Sequence, residues 1–295
     1  MGYKRSHDDT MSDPKEQSSS PYMTMFEGFR KELDEHHDRR ERIIKASRDI
    51  TASSKKIIFT LQRIRVLGAS LPPFVVKSNA QYWETIEKQY RSIASDVQGL
   101  NAYRYPQITG GNQEFIEALS FQHYLENQTL ISYDDSKTRI STLSGDGLTV
   151  LLTPEDYILG IFDMIGELMR FSITSMATHG KLPAGRPKAT KPTKNVSTDR
   201  KTDKMDIDGQ IVESGEKLEP RDVLSDLREI RLQLEMFDPP RGPKFNDEVE
   251  KKMTVMRECV DKVEKALYSL TVRGKESPKG WVPDVKDKHS TVESY

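Results

Sequence analysis

The 295-residue chain holds one cysteine, Cys259. A single thiol excludes a disulfide framework and any cysteine-based zinc cluster, and it suits a reducing compartment. No apolar run is long and clean enough to span a bilayer, and no secretory leader is expected. Charge of one sign is also lacking: 45 Lys and Arg against 46 Asp and Glu give a net charge of -1. That balance excludes a generally basic nucleic-acid-binding coat but leaves room for local patches. Charged residues make up 31% and hydrophobic ones 35%, which suits long amphipathic helices separated by some disordered sequence. The opening residues Met1–Ser6 fit the Met-Gly-x-x-x-Ser myristoylation pattern, which is short and often met by chance.

Three stretches are expected to stay out of any core. Residues 1–20 are polar without periodicity, and residues 276–295 read as a flexible tail. Residues 180–218, rich in Pro, Gly, Lys and Asp, read as a disordered insertion. Gly185-Arg186-Pro187-Lys188 within it is like the minor-groove core of an AT-hook, but one short copy in such a segment carries little weight. Residues 21–179 and 219–275 are then expected to form one helical domain.

From Tyr22 to Leu67, positions 29, 33, 36, 40, 43, 47, 50, 54, 57, 61 and 64 repeat mostly apolar or small residues at an alternating four-three spacing. The spacing predicts one long helix ended by Gly68 and followed by Pro72-Pro73. Its outer face carries Arg39, Arg40, Arg42, Lys45, Arg48, Lys55, Lys56, Arg63 and Arg65. This is either a solvated face with local ion pairs, such as Asp38 with Arg42, or a track for RNA phosphates. A second helix is expected over 78–98. The link after it interleaves Tyr103, Arg104 and Tyr105, a pattern that suits base stacking and phosphate contact. Loop packing is the plainer explanation of two tyrosines beside a proline.

A third helix, 112–130, carries Glu114, Glu117 and Glu126 in a region with no Lys or Arg between Arg104 and Lys137. His123 reads as a packed or surface histidine. Residues 138–152, two β-prone runs around Gly145-Asp146-Gly147, predict a small hairpin. Near the C-terminus, Val223, Leu224, Leu227, Ile230 and Leu234 mark a helix over 221–237. A long seam of Val249, Met253, Met256, Val260, Val263, Leu267 and Leu270 marks another. Cys259 lies one place off that seam and is expected to be inert.

The centre of the chain is Thr153–Met176, apolar on nearly every side through Tyr157, Ile158, Leu159, Ile161, Phe162, Met164, Ile165, Leu168, Met169, Phe171 and Ile173. A helix apolar all round is buried. Thr153, Pro154 and Asp156 form its N-terminal box, and end chemistry accounts for Glu155 and Asp156. Asp163 and Glu167 are different: they share a face in mid-helix, and the only nearby cation in the run is Arg170. Buried acids must be paired, protonated or bound to metal. Glu114 and Glu117, three apart, also share a face. If the two helices pack together, four carboxylates converge. An all-oxygen set with no cysteine and no Glu-x-x-His suits Mg²⁺ or Mn²⁺, which would activate water for phosphodiester hydrolysis. The alternative is acids on exposed faces, with Arg170 pairing Glu167.

HDRRERIIKASRDITASSKKIIFTLQRI, QEFIEALSFQHYL, LTPEDYILGIFDMIGELMR and VEKALYSLTVRGKESPK occur in that order between Phe26 and Lys279. On these stretches the chain resembles the translin family, and within it the translin-associated X subunits. The resemblance implies an all-α, translin-like bundle of about seven helices with long N- and C-terminal helices. It also implies a Mg²⁺-dependent endoribonuclease site, with Mn²⁺ as a substitute, held by Glu114, Glu117, Asp163 and Glu167. Partners so implied are a translin-like subunit in an octameric hetero-oligomer and single-stranded RNA, with single-stranded DNA as a further ligand; no membrane is involved. Implied substrates are single-stranded or nicked RNA, such as small-RNA passenger strands or tRNA-precursor fragments, in cytoplasm and nucleus. Arg104 and Tyr105 map onto the link that contacts RNA. The insertion at 180–218 and the tail around Trp281 depart from the family. The rival expectation is a non-catalytic RNA- or DNA-binding scaffold that acts by assembly alone.

Overall fold

The structure, a computed structural model, describes residues 22–145, 147–185, 221–239 and 243–273. The tails at 1–20 and 276–295, residues 186–218 of the insertion and Arg186–Lys188 of its short motif lie outside the described residues. Among the described residues, seven helices longer than one turn, one four-residue helix and a 3₁₀ turn make up the regular structure, in line with an all-α bundle. Among the described residues there is no strand, only an isolated antiparallel bridge between Ala184 and Asp222.

The chain divides into two units, 1–42 and 43–295. The described part of the first is the opening of helix α1 (Met23–Leu61). There the Phe26 and Phe29 rings meet edge to face at 6.4 Å, and His36 Nε2 lies 3.7 Å from Glu32. Phe29 and Leu33, the first residues of the expected seam, are exposed.

In the second unit the four-three pattern is obeyed: Ile43, Ser47, Ile50, Ser54, Ile57, Leu61 and Ile64 are all buried. Helix α1 stops at Leu61 rather than Leu67. Its exit tightens as Arg63 N and Ile64 N donate to carbonyls three residues back, at 3.1 and 3.0 Å. Gly68, at φ +66°, then donates to the Leu125 carbonyl at 2.9 Å. Helix α2 (Pro73–Ile93) begins earlier than expected because Pro73 fits the first helical turn, where no N–H is needed. The four-residue α3 (Asn101–Arg104) and a 3₁₀ turn at Pro106–Ile108 lead into α4 (Thr109–Asn127).

The expected hairpin is a helix, α5 (Tyr133–Ser144). Ser132 caps it, its hydroxyl accepting from Asp135 N at 3.0 Å, and Asp134 and Asp135 occupy the positive end. Ser136, Ile140, Leu143 and Ser144 fall on one buried face at helical spacing. Cap and spacing outweigh the weak β preference of its Ile and Thr residues. The second run, through Val150 and Leu152, is buried but unpaired by any strand among the described residues.

Helix α6 (Pro154–His179) is the hub and packs against α4, α7 (Val223–Glu235) and α8 (Pro243–Arg273). Thr153 caps it as expected, its Oγ1 accepting from Asp156 N at 3.0 Å. Asp156 does more than cap: it is buried and accepts from Gln113 Nε2 at 3.1 Å and Asn112 Nδ2 at 3.4 Å. Burial raises its pKa, and the bonds from Gln113, Asn112 and Thr153 pull it back. Asn112 Oδ1 in turn accepts from Tyr90 OH at 3.1 Å, so α2, α4 and α6 are tied at one end. Beside this tie α4 and α6 approach closely because Gly160 has no side chain. A Cβ there would lie 2.8 Å from both the Gln113 carbonyl oxygen and Ile116 Cβ.

Candidate metal centre

One turn beyond the Gly160 contact, the facing helices carry the acids. Glu114 and Glu117 come from α4 and Asp163 and Glu167 from α6, each pair on one face by helical spacing. Glu117 is only 9% exposed. Its pKa is pushed up to about 8, first by burial and then by the charges of Glu114, Asp163 and Glu167, while Lys252 pulls it down. Glu114 is raised by burial, lowered by Lys55, raised by Asp163 and Glu167 and lowered by Lys252. The four acids act on one another and form one electrostatic group.

Along the chain, α4 and its flanks lack Lys and Arg, but the fold brings Lys252 and Lys55 to the acids, which corrects the sequence expectation; Arg170 pairs with Glu167, as the alternative had it. Lys252 of α8 donates to Asp163 Oδ1. Lys55 Nζ lies 3.8 Å from Glu114 Oε2, and Arg170 Nη2 lies 3.6 Å from Glu167 Oε1. Both of those side chains are 66% exposed, so their pairs are weak, whereas Lys252 is 27% exposed. Gln62, at the exit of α1, donates to Glu167 Oε2 at 2.7 Å and to its backbone oxygen at 2.9 Å.

Two groups are left over. The Glu117 carboxyl makes no hydrogen bond or ion pair among the described residues, and Gln62 Oε1 is buried without a partner. The chemistry of this donor set, all hard oxygens around one buried, unpaired carboxyl, fits Mg²⁺ or Mn²⁺. As the side chains stand, no three His, Cys, Asp or Glu among the described residues are placed to hold one ion. Instead Asp163 turns to Lys252, Glu114 to Lys55, and Glu167 to Arg170 and Gln62.

Lys252 also lines an open cleft of about 720 Å³, with Pro106, Gln113, Glu155, Lys244, Phe245 and Glu248 among its walls. The cleft begins where α3 hands over to α4. Arg104 on α3 is exposed, but Tyr105 is 4% exposed and packs in the core, so it offers no face for a base. The exposed aromatic of this segment is Tyr103, at 74%. His123 is a surface histidine, its Nε2 3.3 Å from Thr129 Oγ1. Cys259 is buried, and burial pushes its thiol pKa up, away from reactivity. Lys252 and Gln62 are the site residues that sequence reasoning missed. Lys244, Glu248 and Lys252 do form a four-residue-spaced face on α8, but nothing local says which acid that face meets.

The family model described as "Translin family" matches residues 38–274. A protein of Pongo abelii named translin-associated protein X is 31% identical over 96% of this chain and 91% of its own. The Mus musculus protein of that name is 30% identical over 90% and 84%, and a Schizosaccharomyces pombe homologue is 36% identical over 51% and 61%. Among solved structures, AfC3PO in complex with duplex RNA matches with a TM-score of 0.51 at 16% identity, covering 86% of this chain and 100% of that one. AfC3PO by itself matches at 0.50 and 17%, covering 84% and 97%. At these identities the structural matches speak for the fold.

Proposed function

Because this chain belongs to the translin family, we propose that it is the X-type subunit of a hetero-oligomeric endoribonuclease and carries the catalytic centre for cleaving single-stranded or nicked RNA. The observation that carries this reading is Glu117: a buried, unpartnered carboxyl under the charge of Glu114, Asp163 and Glu167. Such a group is costly to a fold and is explained by a cation-binding role. Glu114, Glu117, Asp163 and Glu167 would hold Mg²⁺, or Mn²⁺ in its place. When bound, the ion supplies an acidified water and offsets negative charge developing at phosphorus. Gln62 holds Glu167 in position, and the packing of α4 on α6 excludes bulk water behind the acids. Exposed Lys45, Arg48, Lys55 and Lys56 of α1 and Arg104 of α3 support contact with RNA phosphates. With a net charge of -1, the chain relies on a translin-like partner for most of the RNA cradle. A relative in fold has been seen with duplex RNA, which favours RNA as the ligand class.

A second reading, a non-catalytic subunit that acts by assembly, is favoured by one observation: no three acids are placed around a common ion among the described residues. Cleavage of a labelled single-stranded RNA decides between them. The chain is co-expressed with its translin-like partner and assayed with Mg²⁺, with chelator and as Asp163→Asn, with assembly size checked each time. Cutting that needs both the ion and Asp163 supports the enzyme. A mutant that assembles and still cuts overturns this site.

A further inference from the structure

We infer that Lys252 is a two-position lysine: in the metal-free centre it stands in for the cation on Asp163, and a divalent ion must displace it onto Glu248. This rests on the metal-centre reading above and adds the group against which the ion competes.

Lys252 reaches from α8 to donate to Asp163 on α6, and its charge also acts on Glu114 and Glu117. Lys55 acts on Glu114 and Arg170 on Glu167, each from an exposed side chain. Of these three cations Lys252 is the least exposed and so the most strongly committed to its acid. An ammonium and a divalent ion on the same carboxylate repel each other in a partly buried site, so one leaves when the other enters. The structure provides a place for the lysine to go. Lys252 also faces the 720 Å³ cleft, and Glu248 lines the same cleft one turn earlier on the same helix. A Glu four residues N-terminal to a Lys is the favourable orientation for a helix ion pair. Glu248 is exposed and makes no hydrogen bond or ion pair among the described residues, so it is available to receive the ammonium. The four-carbon lysine stem spans the change by rotation, without moving α8.

The test is a Mn²⁺ titration of the full-length chain, following free Mn²⁺ by electron paramagnetic resonance. The samples are the wild type, Lys252→Met, Glu248→Gln and, as the reference for the centre itself, Asp163→Asn. Lys252→Met should bind Mn²⁺ roughly tenfold more tightly, the scale on which one close charge acts. Glu248→Gln should bind about twofold more weakly, the scale of one exposed helix pair. If Lys252→Met does not fold, Lys252→Gln takes its place. Binding that Asp163→Asn abolishes, but that Lys252→Met leaves unchanged or weakens, overturns the role of Lys252 and spares the centre. Binding that Asp163→Asn leaves intact, or no binding in any variant, overturns the centre and this inference with it.

Discussion

Gln62 gives both hydrogens of its side-chain amide to a single residue: Nε2 lies 2.7 Å from Glu167 Oε2 and 2.9 Å from the Glu167 backbone oxygen. The exit of α1 is thereby fastened to the middle of α6, across 105 positions of sequence. One bond orients the carboxylate and the other adds a second donor to a helical carbonyl. Gln62 thus does for Glu167 what an outer-shell partner does for a metal ligand.

Replacing Gln62 by Leu should therefore cost roughly 1–3 kcal/mol, because a charged acceptor loses its donor. Urea unfolding of the two proteins measures this directly. Gln62→Leu should also weaken Mg²⁺ protection against unfolding. If stability falls but Mg²⁺ protection does not, Gln62 is a fastening of the fold alone.

The contact at Gly160 leads to a paired prediction. Gly160→Ala would place a methyl 2.8 Å from the Gln113 carbonyl oxygen and from Ile116 Cβ, so α4 and α6 would have to separate. A loss of about 1–3 kcal/mol is expected for such overpacking, with impaired metal binding because the acids part as well. Gly166→Ala, two turns on, has nothing within 4 Å and should be neutral or stabilise by up to about 1 kcal/mol. Thermal unfolding of both variants checks the contrast.

Glu117 should make the metal-free protein less stable as pH rises. Its folded pKa of about 8 lies above the ordinary carboxylate value of 4.5. Below pH 4.5 the carboxyl is protonated in both states and contributes nothing. Between about pH 4.5 and 8 the folded state holds a proton that the unfolded state has released, so stability falls with pH; above 8 the loss is complete. The total is on the order of a few kcal/mol. Glu117→Gln should flatten this part of the profile in chelator. Divalent ions should stabilise the wild type more at pH 8 than at pH 5.5. Parallel profiles for the wild type and Glu117→Gln would show that Glu117 is ionised throughout.

A buried acid elsewhere provides a comparison. Asp226 of α7 is 2% exposed and accepts from Tyr124 OH at 2.6 Å and Gln128 Nε2 at 3.2 Å, and Arg221 donates to it as well. Its carboxylate oxygens have donors, unlike those of Glu117. Asp226→Ala should destabilise by roughly 1–3 kcal/mol, since it leaves the buried Tyr124 hydroxyl without its acceptor, while Arg221 is half exposed and keeps Glu229. The stabilisation conferred by Mg²⁺ should be unchanged. A variant that loses its Mg²⁺ response would couple α7 to the metal centre.

Much of this protein was written locally in its chain. The burial of Ile43 through Ile64, the Thr153 cap, the all-round apolar α6 and the pairing of acids at three- and four-residue spacing follow from helical periodicity and end chemistry. Both depend only on neighbours within a turn or two. Where the local signal was weak it misled: a few β-prone residues around Gly145 suggested a hairpin, yet the Ser132 cap and the burial of Ile140 and Leu143 made α5. Exposure of Phe29 and Leu33 and burial of Tyr105 were illegible for another reason, since the same apolar spacing serves a face whether or not anything covers it. Only the tertiary structure decided how the acids are neutralised. Lys252 and Asp163 are 89 positions apart, and their meeting depends on how α8 lies against α6. Charge interactions follow distance in space, which periodicity does not encode, so the chain specified its four carboxylates while the fold chose their counter-ion.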